Sequence, residues 1–395
     1  VKMSPSWRAN VLEADLRRMF GVADGAGVRH MDLDIQVAPE DCDPGMIVLW
    51  RGGLPVGHLL RGSDGQCRAT PVAAARDSGP TSPVQNLPSA SVVICTRDRP
   101  NELRRCLASL PQQSLPPAEI IVVDNASKGD ETRQVVLAAG AIYLREDRPG
   151  LDIARNRGAQ RASSSIVAYT DDDVLLHPHW LERLVAAFDS RSIGAVTGLV
   201  LPAEIATEAQ RYFETFWSFG QGYTPQTFRA DDFAARKHEV FPSWQIGAGA
   251  SMAFRREVFD RAGMFDERLD VGQAGCSGDS EYWYRLLANG YDCRYEPASV
   301  AFHFHRRTME SLAKQIYFYM RGHSAALLVQ HERTGVRANL EQAFKWKPLW
   351  YLARVRRRLF RRSIPEDRFL WQEIAGYVSG LLFYLRTRRV RRRGA

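Results

Sequence analysis

From residue 91 onward, apolar positions come in short continuous runs separated by stretches of helical spacing. SVVICT (91–96), EIIVVD (119–124), AIYLRE (141–146) and SIVAYT (165–170) have the length and continuity of strands buried on both faces. Between the first two, residues 99–110 place Leu103, Leu107 and Leu110 at helical spacing, with Pro100 in the first turn. DETRQVVLAAG predicts a second helix that stops at Gly140, and LDIARNRGAQRAS a third. Four such units in a row predict a parallel sheet covered by helices. Ligands of such sheets sit at the carboxyl ends of the strands.

Upstream the rhythm differs. MIVLWRGGLPVGHLLRGSDG (46–65) has apolar runs broken by GG, LP, VG and DG, which predicts a small hairpin or meander. A Ser/Pro-rich stretch then separates it from the alternating region. The expected division is a small α+β unit over 1–76, a linker over 77–90, the α/β domain over 91–306 and a basic helical region over 307–395. Within the third unit, residues 203–244 interrupt the alternation with aromatic side chains, expected mainly as the core of a helical insertion.

Composition narrows the class. With 45% hydrophobic and 25% charged residues in 395, the chain is globular rather than low-complexity. Its net charge of +8 is uneven: residues 341–395 hold 15 Lys or Arg against 4 Asp or Glu, a net +11, which leaves −3 for the rest. A basic tail of this kind suits an anionic membrane surface or a nucleic acid. Six cysteines with no CxxC pair argue against a zinc ribbon or disulfide scaffold and suggest core thiols in a reducing compartment. The opening residues are too polar for a secretory leader. No apolar run approaches ~20 residues; the longest, 374–385, predicts a buried or interfacial helix. A cytoplasmic protein is expected, peripheral on the inner face of the membrane.

The candidate chemistry lies just past the strands. The first ends in Thr96-Arg97-Asp98, the second in Asp124-Asn125, the fourth in Asp171-Asp172-Asp173, and the GLDIARNRG segment brings Asp152, Arg155 and Asn156 to the same edge. Three consecutive carboxylates repel one another and are costly to bury unpaired. A divalent cation relieves that, and Mg²⁺ or Mn²⁺ takes one or two carboxylates plus substrate phosphates. A solvated acidic turn capping the next helix is the plainer alternative for this run taken alone.

SVVICTRDRP, EIIVVDNAS, GLDIARNRGAQRA and IVAYTDDDV, followed by IGAGASMAFRREVFDRAGMFDERL and SGDSEYWYRLLANGYDCRYEP, resemble the family 2 glycosyltransferases in order and spacing. The resemblance covers roughly residues 90–305. It implies a GT-A-type, Rossmann-like mixed sheet, mostly parallel and flanked by helices. It implies an inverting, Mn²⁺- or Mg²⁺-dependent transfer from a nucleotide-diphospho-sugar, with a UDP-sugar expected, to a carbohydrate or lipid-linked acceptor.

Carried over by position, Thr96, Arg97, Asp98 and Asp124 would hold the nucleoside, and Arg155 its base or diphosphate. Asp171, Asp172 and Asp173 take the place of the DXD motif, with Asp171 expected at the ribose and Asp173 at the metal. Asp279 maps to the general base, although Gly278 stands where many relatives have Glu. Of His303 and His305, the second is expected to complete the metal shell. Gly247, Gly249, Trp244 and Glu281 are expected around the acceptor and donor sugar. No QxxRW motif follows the base, so single-sugar transfer is the simpler expectation. A nucleotidyltransferase and a non-catalytic nucleotide-sugar or nucleic-acid binding protein are the alternatives. The TRDRPNE loop lacks the Gly-rich phosphate cradle that the first of these needs, and no specific nucleic acid is expected.

Overall fold

The structure is a computed structural model that describes residues 27–34, 45–62, 65–70, 86–236, 238–360 and 364–394. The predicted alternation forms one half of a large sheet. Strands β5 (Ala90–Thr96), β6 (Glu119–Asn125), β7 (Ile142–Glu146) and β8 (Ile166–Asp171) pair in parallel in the order β7-β6-β5-β8. The helices Pro100–Ser109, Glu131–Ala138 and Leu151–Arg161 make the crossovers.

The other half is mixed. β12 (Ser251–Arg255) lies antiparallel between β8 and β10 (Ile193–Pro202). β10 then pairs in parallel with β13 (Asp292–His303), whose far side takes the short antiparallel β11 (Gln226–Phe228). β9 (Val174–Leu176) pairs with the end of β13. The sheet is thus parallel over the alternating strand–helix units and mixed beyond β8. Two apolar clusters, one on each face, hold its helices; Val92, Val122 and Trp180 belong to one, Val93, Phe254 and Trp283 to the other.

The small N-terminal sheet runs β1 (Val28–Asp32), β2 (Met46–Arg51), β3 (Leu54–Arg61), β4 (Cys67–Ala69) in that order. Its β2–β3 hairpin turns on Gly52 and Gly53, both at positive φ, which suits a primed two-residue turn. This sheet does not stand apart. Met46, Val48 and Trp50 of β2 share a cluster with Leu199, Tyr295 and Phe302 of the large sheet. Each such fully buried side chain is worth about 1.5–3 kcal/mol. Most of the proposed linker lies outside the described residues. Cys67 is disulfide-bonded, a departure from the expected free thiols; Cys95, Cys106, Cys276 and Cys293 are free.

The C-terminal region is helical, and its two longest helices pack side by side in the same direction, Tyr317, Arg321 and Glu332 facing Gly376, Gly380 and Tyr384. The 26-residue helix Met309–Thr334 packs along Leu370–Gly394. Gly376 and Gly380 permit the close approach: a Cβ at either would lie within about 2.1 Å of a backbone oxygen, that of Tyr317 or Arg321. Ser324 Oγ also donates to the Tyr377 carbonyl across this contact. The amphipathic helix Lys347–Phe360 is tied to this pair by Arg354, which bonds Asp367 at 2.7 Å and Glu373 at 2.6 Å. Among the described residues, no helix is long and apolar enough to cross a membrane.

Candidate active site

A cavity of about 1390 Å³ opens along the carboxyl ends of β5 and β8 and runs to the C-terminal helices. Thr96, Arg97, Arg155, Asp171, Asp172, Asp173, Trp244, Gly247, Gly249 and Asp279 all line it. The parallel pairing of β5 and β8 puts Thr96 beside the acidic run, and its hydroxyl donates to Asp172 at 2.7 Å.

The acidic run splits in role. Arg99 bridges Asp172 and Asp173 at 3.0 and 2.9 Å. Ligand atoms of Asp171, Asp173 and His303 lie within 4.8 Å of one another. His303 ends β13, opposite Val174 on β9, and its Nε2 lies 3.3 Å from Asp173 Oδ1. Burial pushes Asp171 up to about 6. Burial and the neighbouring Asp173 push Asp172 up to about 7, against Arg99 and Thr96. Asp173 is held well below the usual range because His303 and Arg99 outweigh its burial, and Asp173 in turn raises His303. Two carboxylates and one imidazole around a common point fit a Mn²⁺- or Mg²⁺-like cation, whose charge would also stabilise the ionised form of the raised carboxylate.

His305, the histidine expected at the metal, is elsewhere. The two histidines lie together, as alternation expects, with His303 Nδ1 2.8 Å from His305 Nδ1, but β13 stops at His303 and Phe304 N–H donates to the Asp173 carbonyl. His305 turns inward to Glu214, at 2.6 Å. His303 is the histidine whose ring nitrogen groups with Asp171 and Asp173.

A second acidic group lies across the cavity. Asp279 opens the helix Gly278–Ala288 and accepts from Gly249 N–H at 2.9 Å and Ser280 N–H at 2.6 Å. Burial, then Asp270, raises its pKa, with Arg155 opposing. Arg155 is itself buried and bonds Asp152 at 3.0 Å and Asp270 at 2.6 Å. It therefore reaches the cavity already committed to carboxylates, where the sequence suggested a donor for the base or diphosphate. Gly249 is required by close approach: a Cβ there would lie 2.7 Å from Arg155 Nη2 and 2.9 Å from Asp279 Oδ2. Gly247 backs onto Thr197 in the same way, at 2.5 Å. Gly278, the departure from the family pattern, is explained by Asp152, whose Oδ2 would lie 1.9 Å from a Cβ at that position.

Three further expectations meet different surroundings. Asp98 is exposed at the turn after β5, with φ of 55°, and accepts from Lys128 N–H. Asp124 is buried, its carboxylate taken by Tyr143, Arg145 and Ser127. Neither lines the cavity. Glu281, expected around the acceptor and donor sugar, does not line it either. Two residues along a helix turn it to the face opposite Asp279, where it is fully buried against Arg285 at 2.8 Å. Trp244 is 43% exposed, edge-on to His323, and faces the cavity. Sequence reasoning passed over Asp270 and underweighted Arg99 and Asp152. Asp270 sits in the Gly-rich DVGQAGCSGD loop with φ of 62°, a conformation uncommon outside glycine.

Residues 91–263 match the model of the Glycosyl transferase family 2. The chain is 28% identical over 222 residues to the O-antigen biosynthesis protein RfbC of Myxococcus xanthus, covering 53% of this chain and 16% of that protein. It is 25% identical over 240 residues to the glycosyltransferase AglE of Haloferax volcanii, covering 58% of this chain and 71% of the relative. It also spans 58% of the glucosyl-dolichyl phosphate glucuronosyltransferase of the same organism, at 27% identity over 47% of this chain. Two of these three relatives are thus covered over less than two thirds of their length. Among solved structures, the mannosyltransferase PcManGT from Pyrobaculum calidifontis, in complex with GDP-Man and Mn²⁺, superposes with a TM-score of 0.52 at 18% identity, over 75% of this chain and 88% of that one. The fold is that of GT-A glycosyltransferases, and over residues 91–263 the chain carries a domain of the glycosyl transferase family 2.

Proposed function

We propose that the protein is an inverting, metal-dependent glycosyltransferase that moves a sugar from a nucleotide-diphospho-sugar to an acceptor hydroxyl. The observation that carries this is one cavity with a cation-type triad, Asp171, Asp173 and His303, on one wall and a carboxylate anchored by backbone N–H groups, Asp279, on another. A divalent cation bound by the triad would neutralise charge on the leaving diphosphate. Asp279 takes the proton from the acceptor hydroxyl as the acceptor oxygen bonds the anomeric carbon. The carbon–oxygen bond to the diphosphate breaks, and its electron pair leaves with the nucleotide. Attack opposite the leaving group inverts the anomeric centre. Gly249 N–H and Ser280 N–H orient Asp279, and burial and Asp270 raise its pKa, which makes it a stronger base than an ordinary carboxylate. Thr96 and Arg97 are proposed at the nucleoside, and Trp244, Gly247 and Gly249 at the sugars.

The acceptor is proposed to be a carbohydrate or a lipid-linked molecule, met at an anionic membrane surface. Of the 15 large hydrophobic residues exposed among those described, 11 lie between Phe344 and Leu385. They include Trp346, Trp350 and Trp371, interleaved with the arginines of the basic tail. Apolar and basic side chains on one helical surface suit an interface lying on anionic lipid.

Calorimetric titration of UDP, GDP and dTDP, with Mn²⁺ and with EDTA, tests the donor. Metal-dependent binding of one nucleotide, with UDP expected, supports the reading; well-folded protein that binds none overturns it. Sedimentation with phosphatidylglycerol vesicles, weakened by salt and by Trp346→Ser with Trp350→Ser, tests the surface.

A further inference from the structure

We propose that His305 and Glu214 form a hydrogen-bond relay that sets which nitrogen of His303 faces the metal site. The inference rests on the metal-dependent reading above and adds two positioning residues to it. Three observations carry it. His303 Nδ1 lies 2.8 Å from His305 Nδ1. His305 Nε2 lies 2.6 Å from Glu214 Oε1. The side chains of His305 and Glu214 are each 2% exposed, so water does not supply alternative partners.

The polarity of this chain follows from the donor inventory. A carboxylate only accepts, so His305 Nε2 carries the hydrogen toward Glu214. Ser218 Oγ donates to the other oxygen of the same carboxylate at 2.9 Å, which reinforces its role as an acceptor. A neutral His305 then has a lone pair on Nδ1, and the 2.8 Å contact requires His303 Nδ1 to donate to it. That leaves the His303 Nε2 lone pair facing Asp173 Oδ1, 3.3 Å away. Two lone pairs at that distance repel unless a cation or a proton lies between them, so the relay prepares His303 to ligate through Nε2. The opposite polarity would turn an imidazole lone pair toward the Glu214 carboxylate at 2.6 Å. Packing holds the geometry: Phe213 and Phe219 lie against His305, and Phe219 meets His303 edge-on.

Partners of this kind raise ligand basicity and fix ring orientation, and losing one costs roughly 10–100-fold in metal affinity. The test is Mn²⁺ affinity of the full chain, read from the electron paramagnetic resonance signal of free Mn²⁺, so that it does not depend on turnover. His305→Phe keeps a ring among Phe213 and Phe219 but removes both hydrogen bonds. Its affinity is expected to fall by at least ~10-fold. His305→Gln can accept with its amide oxygen and donate with its nitrogen, and is expected to stay within a few-fold of the parent protein. Unchanged affinity in folded His305→Phe, or equal losses in both variants, overturns the relay. If the parent binds Mn²⁺ and Asp173→Ala abolishes that binding while His305→Phe does not weaken it, the relay fails alone. If the parent binds no Mn²⁺, the metal-dependent reading fails and takes the relay with it.

Discussion

Two acidic groups face one cavity, and they are built differently. Asp171–Asp173 is a run of three at the end of a strand, answered by Arg99 and His303, with three ligand atoms left converging on one point. Asp152 from the helix Leu151–Arg161, and Asp270 and Asp279 from the two ends of the DVGQAGCSGD segment, converge on a single buried arginine, Arg155. The first cluster keeps its lone pairs open to a cation. In the second, Arg155 is shared by Asp152 and Asp270, and Asp279 is held only by two backbone N–H groups. Similar numbers of carboxylates are thus arranged in two ways: one group has converging ligand atoms, the other leaves Asp279 without a direct bond to the arginine. Asp171–Asp173 and Asp279 were both readable as motifs, whereas the histidine beside the first and the Asp152–Arg155–Asp270 contacts beside the second depend on tertiary structure.

The sharpest way to break this comparison is Asp279→Asn. The amide keeps the shape and can still accept from Gly249 N–H, but it cannot take a proton. We expect kcat to fall by roughly 10²–10⁴, with Mn²⁺ and nucleotide binding unchanged by calorimetry. A loss of nucleotide binding instead would place Asp279 with the first cluster.

Gly249→Ala separates the clusters from the other side. Its new Cβ would press on Arg155 and Asp279 together. Crowding of this kind costs about 1–3 kcal/mol, which corresponds to a loss in kcat/KM of about 5–150-fold if it falls on the transition state. Mn²⁺ affinity should not change, because none of the ligand atoms of the triad is touched.

What was legible follows the same division. The strands β5, β6, β7 and β8 were visible because buried parallel strands are continuous apolar runs, and their order fixed which residues share a rim. Thr96 and Asp171–Asp173 follow from position along that rim, and Asp279 from the resemblance of SGDSEYWYRL to the family motif; all of them line the cavity. Alternation places His303 and His305 together but does not say which of them faces Asp173; that is settled by where β13 ends, at His303. Glu281 was misplaced because helical rotation over two residues was not applied. Asp270 had no local signal beyond a Gly-rich loop; only the fold brings it to Arg155. The N-terminal sheet looked separate because a linker composition follows it, while the apolar face that joins it to β13 has the same pattern as a face buried within its own unit.

The raised carboxylates give a third test. Asp171 and Asp172 have folded pKa values of about 6 and about 7, above their ordinary value. Their contribution to stability is therefore fully present below pH ~4 and is lost as pH rises through 6 and 7. Asp173 is lowered, and its contribution is lost only as pH falls through the acid range. In EDTA, Tm should accordingly decline between pH 5 and 8 on account of the first two. Mn²⁺ binds the ionised forms, so the Tm gap between Mn²⁺ and EDTA should widen over the same range. A gap that is constant with pH, measured by differential scanning fluorimetry, would separate the metal from these carboxylates.

The smallest effect on turnover is expected from Glu281→Gln. If Glu281 belonged to the sugar pocket, the change would lower kcat/KM by removing a carboxylate from the substrate. The structure puts it instead on the far face of the helix that carries Asp279, fully buried and bonded twice to Arg285. Arg285 would be left buried with a neutral partner, and removing one member of a buried pair costs up to about 3–5 kcal/mol. Gln retains one acceptor for Arg285, which keeps the loss below that figure. We expect a lower Tm with kcat/KM within about two-fold of the parent protein, a span of only ~0.4 kcal/mol in the barrier. A large fall in kcat/KM at unchanged Tm would move Glu281 to the cavity side and erase the boundary between the base and its helix support.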